Sequence, residues 1–159
     1  MIHIYTDGGC SGNPGPGGWA YTIIRTEAPQ NGVGGVKDAL LDEKWGAEKS
    51  TTNNRMELQA VIAALEALPA LMQGIEKVAV YTDSQYVQKG MSSWIKDWEK
   101  RGWKTSGKEP VKNLELWQRL QNLAGGVADI SWVWVKGHSG NKFNEHCDIL
   151  TQKAIASCE

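Results

Sequence analysis

The sequence predicts an α/β protein with a mixed β-sheet, built as a single domain over residues 1–159. Strand-like and helical patterns follow one another in the order β-β-β-α-β-α-α-α-β-α, which is typical of helices packed on a sheet. Of the 159 residues, 41% are hydrophobic and 22% are charged, as in one ordinary globular domain. No linker-like segment and no long repeat divides the chain, so we expect one domain.

Three strands are predicted in the first third of the chain. Ile2 to Thr6 and Trp19 to Arg25 are rich in aromatic and β-branched residues, and the glycines and prolines of residues 7–18 predict a tight loop between them. The segment from Thr26 to Glu48 is weakly patterned and locally acidic. We expect it to contain the turn of a long hairpin, with a third strand from Lys44 to Glu48.

The middle of the chain predicts a helix followed by a buried strand. A helix from Asn53 or Asn54 to about Leu68 has a suitable N-cap and is followed directly by a proline. Val78 to Thr82 is a short, continuous apolar run bounded by turn residues, which is typical of a strand buried on both faces.

The last part of the chain predicts helices around one further strand. Leu114, Trp117 and Leu120 recur at the spacing of an apolar helix face. Most tryptophans, including Trp117, Trp132 and Trp134, are expected in the core. The predicted elements are helices at Ser84–Lys89, Ser92–Arg101 and Asn113–Ala124, a strand at Ile130–Val135, a loop at Gly137–Asn141, and a last helix from Asn144 to about Ser157.

Several classes of protein are excluded by composition. No apolar run approaches the roughly 18 residues of a membrane span, and the first residues lack the basic and apolar regions of a signal peptide. The three cysteines, Cys10, Cys147 and Cys158, are widely spaced and odd in number, which fits neither a disulfide framework nor a structural zinc site. We therefore expect a cytoplasmic protein with no membrane partner.

Positive charge is concentrated in one stretch of the sequence. The whole chain has a formal net charge of −1, which by itself argues mildly against a nucleic-acid ligand. Trp94 to Lys112, however, carries a net charge of +3, from six basic and three acidic residues. The stretch is either a docking surface for an anionic partner or a solvated helix face. Its basic residues are Lys96, Lys100, Arg101, Lys104, Lys108 and Lys112.

Two identical tripeptides, Tyr-Thr-Asp, close two of the predicted strands. They place Asp7 and Asp83 at strand ends, where sites of open α/β sheets lie. Side by side, two carboxylates repel each other unless a cation lies between them. The alternative interpretation is that each aspartate only caps a turn.

Glu57 favours the first of these interpretations. It lies in the first turn of the predicted helix and heads an apolar stripe that continues through Val61, Ala64 and Leu68. Charged side chains are rarely buried unless they are paired or bound to a metal. Stabilisation by the helix dipole is the alternative, but it does not explain why Glu57 faces the core.

Two further residues are candidates that the sequence alone does not place. Asp148 borders an apolar stripe in the last predicted helix, and His138 lies in a loop ten residues earlier. The proposed carboxylate ligands are hard oxygen donors, which prefer Mg²⁺ or Mn²⁺ to zinc. Carboxylate clusters that hold two such ions are known in phosphodiester chemistry.

The chain closely resembles the bacterial type 1 ribonuclease H family. The motifs occur in the family's order across almost the whole chain. They are Tyr-Thr-Asp-Gly-Gly-Cys-Ser-Gly-Asn-Pro-Gly-Pro-Gly-Gly (5–18), Thr-Thr-Asn-Asn-Arg-Met-Glu-Leu (51–58), Thr-Asp-Ser-Gln-Tyr-Val (82–87), Lys-Arg-Gly-Trp-Lys-Thr (100–105), Leu-Trp-Gln-Arg-Leu (116–120) and Trp-Val-Lys-Gly-His-Ser-Gly (134–140).

The resemblance implies a five-stranded mixed sheet flanked by helices and an enzyme that hydrolyses the RNA strand of RNA–DNA hybrids. It implies two Mg²⁺ ions, with Mn²⁺ as a substitute, and products with 5′-phosphate and 3′-hydroxyl ends. We also expect a monomer without an obligatory protein partner. By motif match, the metal-binding carboxylates are those of Asp7, Glu57, Asp83 and Asp148, and His138 is a further catalytic residue in a mobile loop.

The resemblance also implies a surface that binds the hybrid. Ser50 departs from the family pattern, because many relatives have an arginine there, and Lys49 beside it lacks the bidentate fork of arginine. The implied substrate contacts are Cys10, Asn13, Asn53, Asn54 and Gln85 in the minor groove, Thr52 and Asn113 at a phosphate of the DNA strand, and Trp94, Trp98, Lys100 and Arg101 on a protruding region.

Two alternative functions remain open at this level. The same metal-site logic occurs in nucleases and resolvases of the superfamily that act on duplex or branched DNA. A module that binds hybrids without cleaving them is the second alternative, although all four acidic residues of the motifs are present.

Overall fold

The computed structural model describes residues 1–27, 34–35, 37–137 and 140–158, which form one five-stranded mixed sheet with helices packed against it. The predicted fold class is therefore confirmed. In spatial order the strands are β3-β2-β1-β4-β5. Their bounds are Ile2–Cys10 for β1, Gly15–Glu27 for β2, Lys37–Thr51 for β3, Val78–Thr82 for β4 and Ile130–Trp134 for β5.

Strand β1 lies at the centre of the sheet, where the strand direction changes. It runs antiparallel to β2 and parallel to β4, and β4 runs parallel to β5. The register pairs Tyr5 with Tyr81, so the two Tyr-Thr-Asp tripeptides lie side by side. The carboxyl ends of β1 and β4 consequently meet at one edge of the sheet.

Helices cover the sheet and bury its apolar residues. A core of β1, β2 and β4 side chains packs with the first helix and with the fully buried Trp117. Within the described residues, none of the helices combines the length and the hydropathy of a transmembrane span. The helices are α1 (Asn53–Ala67), α2 (Gln85–Lys89), α3 (Ile95–Lys100), α4 (Leu114–Gly125) and α5 (Lys142–Ala156), with a 3₁₀ turn at Leu68–Ala70 and a π-helical turn at Gly90–Trp94.

Strand β3 is much longer than the predicted strand from Lys44 to Glu48. It pairs along almost the whole of β2, from Lys37 opposite Glu27 to Thr51 opposite Gly15. The prediction was too short because β3 is an edge strand with mostly exposed side chains, so burial imposes no alternating pattern on it. The turn of this hairpin falls largely outside the described residues.

The predicted loop over residues 7–18 is confirmed only for residues 11–14, because β1 continues to Cys10 and β2 begins at Gly15. Gly12 lies in this connection with a φ of 72°, whereas Gly8 and Gly18 serve close packing. A side chain at Gly8 would overlap the backbone at Met56, and one at Gly18 would overlap Ala154 of α5.

The predicted start of the last helix was also displaced. Helix α5 begins at Lys142 because the side chain of Asn141 caps it, accepting hydrogen bonds from the backbone N–H groups of Phe143 and Asn144.

The prediction that Trp134 lies in the core was wrong, because its side chain is 42% exposed. Trp117 is fully buried as predicted, and Trp132 is half-buried against the core. Trp134 is exposed because it is the last residue of β5, which forms the other edge of the sheet.

Candidate active site

Three carboxylates converge at the carboxyl ends of β1 and β4. Asp7 lies within β1, Asp83 follows β4 directly, and Glu57 lies in the first turn of α1. One ligand oxygen of each residue lies within 4.8 Å of those of the other two. Asp7 and Glu57 are buried and Asp83 is partly exposed, so the cluster opens to solvent on the side of Asp83.

Gly8 brings Glu57 into this cluster. Because it has no side chain, the first turn of α1 packs directly on β1. The Gly8 N–H donates a hydrogen bond of 3.2 Å to Oε1 of Glu57. The other carboxylate oxygen, Oε2, is buried and has no hydrogen-bond partner among the described residues.

The electrostatics of the cluster disfavour three simultaneous negative charges. Burial, reinforced by the negative charge of Asp83, raises the pKa of Asp7 to about 7. Burial also raises the pKa of Glu57 well above its ordinary value, and the charges of Asp7 and Asp83 raise it further. The isolated site therefore favours binding of protons or of a cation.

Helix α5 contributes two residues near the cluster. Asp148, which is partly exposed, is not among the three residues whose ligand oxygens lie within 4.8 Å of one another, but its charge helps to raise the pKa of Asp7. The hydroxyl of Thr151 acts in the opposite direction and lowers that pKa. Thr151 was not predicted, although its i+3 spacing from Asp148 places both on one helix face.

The loop after β5 passes over Asp83. A side chain at Gly137 would lie 3.2 Å from Oδ2 of Asp83, so the backbone of this loop lies against the carboxylate. The predicted catalytic residue His138 falls outside the described residues.

The donor atoms and the electrostatics of the cluster are suited to a divalent cation. Its donors are hard carboxylate oxygens, one of them buried and unpaired, and its pKa values are raised by mutual repulsion that a cation relieves.

Three of the residues predicted to contact the minor groove form one hydrogen-bonded group beside the cluster. The Cys10 N–H donates to Oδ1 of Asn53 at 2.9 Å, and the Asn53 N–H donates to Oδ1 of Asn13 at 3.1 Å. Asn54 and Gln85 are exposed at the starts of α1 and α2.

The residues predicted to contact a DNA phosphate, Thr52 and Asn113, are joined by Arg55, for which the sequence analysis proposed no role. Thr52 caps α1 and accepts a hydrogen bond from the Arg55 N–H. The Arg55 guanidinium donates to Oδ1 of Asn113 at 3.1 Å and to Glu115 at 2.7 Å. Lys49 and Ser50 are exposed at the end of β3.

The protruding region combines a packed aromatic group with exposed positive charge. Trp98 contacts Trp94, Trp103 and Trp117, with ring centroids 5.3 to 6.3 Å apart. Lys100 and Arg101 are exposed at the end of α3 and form no ion pair within the described part of the chain.

A mixed sheet with a carboxylate cluster at the ends of its central parallel strands is typical of α/β enzymes whose sites can hold divalent cations, among them nucleases. The chain belongs to the ribonuclease H family, whose model, described as RNase H, matches residues 1–156.

Individual relatives agree with this assignment. A ribonuclease H of Chromobacterium violaceum is 51% identical over 156 residues, which cover 98% of this chain and 95% of that protein. LC9-RNase H1, described as a type 1 RNase H with the type 2 active-site motif, superposes with a TM-score of 0.80 at 36% identity, covering 99% of this chain and 73% of that one. LC11-RNase H1, solved in complex with an RNA/DNA hybrid, superposes with a TM-score of 0.71 at 27% identity, covering 99% and 98%.

Proposed function

We propose that this protein hydrolyses the RNA strand of RNA–DNA hybrids at the carboxylate cluster and leaves 5′-phosphate and 3′-hydroxyl ends. The observation that carries the proposal is the convergence of Asp7, Glu57 and Asp83 in a chain of the ribonuclease H family. The relative that was solved with an RNA/DNA hybrid supports this class of substrate.

The cluster is proposed to hold two Mg²⁺ ions, for which Mn²⁺ can substitute, through Asp7, Glu57 and Asp83, with Asp148 as a fourth ligand. When bound, such ions lower the pKa of a water nucleophile and neutralise charge on the leaving 3′-oxygen. The chain itself orients Glu57 through the Gly8 N–H and supplies the negative charge that attracts the cations. His138 is proposed to assist proton transfer or product release.

Recognition of the RNA strand is assigned to the hydrogen-bonded group of Cys10, Asn13 and Asn53. The amide oxygens of both asparagines accept backbone N–H groups, and their NH₂ groups form no hydrogen bond to another described residue. These donors therefore suit the acceptors of a minor groove and the 2′-hydroxyl that distinguishes RNA from DNA. Asn54 and Gln85, which are exposed nearby, are proposed to extend this surface.

The DNA strand is proposed to lie across Thr52 and Asn113 and along the protruding region. The guanidinium of Arg55 holds Asn113 in place beside the start of α1. Lys100 and Arg101, with Trp94 and Trp98 as the scaffold beneath them, would contact the phosphate backbone without reading sequence. The proposal includes a monomer that is located in the cytoplasm. The free cysteines support a reducing compartment.

The test is incubation of the purified protein with an end-labelled RNA–DNA hybrid, with Mg²⁺ or with a chelator, followed by end-group analysis of the products. We expect cleavage of the RNA strand only with the cation, and none of duplex DNA or four-way junctions. Preferential cleavage of either DNA substrate would overturn the proposal in favour of a DNA nuclease or resolvase. Metal-independent hybrid binding without cleavage would identify a binding module.

A matched pair of variants connects the activity to the cluster. Glu57→Gln removes the buried charge in the first turn of α1, whereas Glu66→Gln makes the same change at an exposed position of the same helix. We expect cleavage to be lost only in Glu57→Gln. Equal activity of the two variants would contradict the assignment of the site.

A further inference from the structure

Two tryptophans of the sheet are almost equally exposed but differ in their hydrogen bonding. The side chain of Trp134 is 42% exposed and that of Trp45 is 44% exposed. The indole N–H of Trp134 donates a hydrogen bond of 3.1 Å to the backbone carbonyl of Asp83, whereas the indole N–H of Trp45 has no acceptor among the described residues. Burial therefore does not explain the placement of Trp134, and the bond to Asp83 is what sets it apart.

This bond lies at the end of the β4–β5 ladder and adds to it. Thr82 is paired with Trp134, and the Val135 N–H donates to the Thr82 carbonyl at 2.9 Å. Beyond this point the strands end, and the indole N–H of Trp134 reaches the Asp83 carbonyl. In the same peptide group as the Asp83 carbonyl, the Ser84 N–H donates to the hydroxyl of Thr82 at 3.0 Å. The backbone that carries the Asp83 carboxylate is thus held before and after this residue.

Trp134 also ties Asp83 to the loop that follows β5. Three residues after Trp134, the backbone at Gly137 lies against the Asp83 carboxylate. The indole therefore constrains both the residue that bears the carboxylate and the start of the loop that packs on it. Asp83 is the most exposed member of the cluster and lies outside a regular element.

We propose that Trp134 is a positioning residue that sets the Asp83 carboxylate for divalent-cation binding through its indole N–H. The inference rests on the cation-binding part of the proposed function and not on the choice of nucleic-acid substrate. Groups that orient metal ligands without touching the metal are known to change metal affinity when they are removed.

The test compares Trp134→Phe with Trp45→Phe, which removes an equally exposed indole that lacks this bond. Binding of Mg²⁺ alone to each protein is measured by calorimetry without nucleic acid. We expect Trp134→Phe to weaken Mg²⁺ binding about tenfold, at the lower end of the range for groups that orient metal ligands, and Trp45→Phe to leave it unchanged. Unchanged Mg²⁺ affinity in folded Trp134→Phe, or an equal loss in both variants, would overturn the inference.

A measurement on the unaltered protein keeps the inference testable if the variant does not fold. Hydrogen exchange of the two indole N–H groups is followed by NMR. We expect the Trp134 indole to exchange several times more slowly than that of Trp45, and equal exchange would overturn the inference. Mg²⁺ binding without hybrid cleavage would refute the proposed substrate and leave the role of Trp134 intact, whereas absence of Mg²⁺ binding by the unaltered protein would refute both.

Discussion

The two ends of the sheet differ in how their sheltered charges are balanced: one has an ion pair, and the other has a cluster of like charges. At the end where β1 and β4 begin, Arg25 and Glu76 are only 12% and 14% exposed and form a bidentate ion pair with distances of 2.8 and 2.9 Å. At the other end, Asp7 and Glu57 are more deeply buried and face each other and Asp83, all with the same sign of charge.

The pKa values reflect this contrast. The Arg25 guanidinium and the Gln73 N–H hold the pKa of Glu76 at about 2, whereas burial and like charge raise that of Asp7 to about 7. The first end neutralises its charge within the chain, and the lowered pKa of Glu76 means that ionisation of this residue stabilises the fold. At the second end the carboxylates of the cluster repel one another. This repulsion destabilises the fold locally and favours binding of a cation.

Asp7→Asn should produce the largest effect at the acidic end. It removes a charge that the cations require, so we expect cleavage of the hybrid to fall at least about a thousandfold while hybrid binding survives. Cleavage rates and binding are measured at saturating Mg²⁺. Asp129→Asn, an exposed aspartate at the opposite end of the sheet, is the control and should remain active. Substantial residual cleavage by Asp7→Asn would contradict the metal assignment.

Glu76→Gln should have the corresponding effect at the paired end. It leaves the sheltered Arg25 guanidinium without a counter-charge, so we expect a loss of about 2–3 kcal/mol in the free energy of unfolding. Urea unfolding measures this loss. The exposed Glu66–Arg119 pair is the comparison, and Glu66→Gln should cost less than about 1 kcal/mol. Equal losses would mean that the Arg25–Glu76 pair is no more than a surface contact.

The pH dependence of stability should differ between the ends when divalent cations are chelated. The folded state holds a proton on Asp7 up to about pH 7, whereas the unfolded chain releases it near pH 4. Stability must therefore fall as pH rises through this window, by about 2 kcal/mol or more, and stay low above it. Asp7→Asn should show a smaller fall, because only the part due to the raised pKa of Glu57 remains, and so be more stable than the parent protein at pH 8 in chelator.

Thermal unfolding across pH 4–8, with chelator and then with Mg²⁺, measures this effect. For Glu76 we expect stability to change with pH in the opposite direction, because the pKa of this residue is lowered. The stabilisation by its carboxylate is present above about pH 4 and is lost as pH falls towards 2. An identical profile for Asp7→Asn and the parent protein would show that Asp7 carries no such penalty.

The acidic end was largely predictable from sequence because its determinants are local. The bounds of β4 agree with the apolar run Val78–Thr82, and the repeated Tyr-Thr-Asp indicates two equivalent strand ends. Glu57 was recognised because its place on an apolar stripe conflicts with its charge.

The rest depends on contacts between segments distant in the chain. Gly8 and Gly18 looked like turn residues, because the sequence does not show that α1 and α5 pack against them. The Arg25–Glu76 pair joins residues 51 positions apart, and the bond from Trp134 to Asp83 also spans 51 positions. The sequence around these residues does not indicate either pairing.

The smallest predicted effect concerns positive charge that the described part of the chain leaves unpaired at Lys100 and Arg101. If these two residues bind phosphates of the hybrid, replacing both with alanine should weaken hybrid binding and reduce its salt dependence. The expected change is about one unit of slope for each phosphate that the variant no longer neutralises.

Binding titrations in chelator at several salt concentrations measure this slope. Replacement of Lys37 and Lys77 with alanine removes the same charge from exposed positions at the opposite end of the sheet, and should leave the slope almost unchanged. Equal slopes for the two double variants would show that only the overall charge matters. A smaller slope only in the variant that lacks Lys100 and Arg101 would place the phosphate backbone on the protruding region. The decrease in net charge is identical in both variants, and only its position differs.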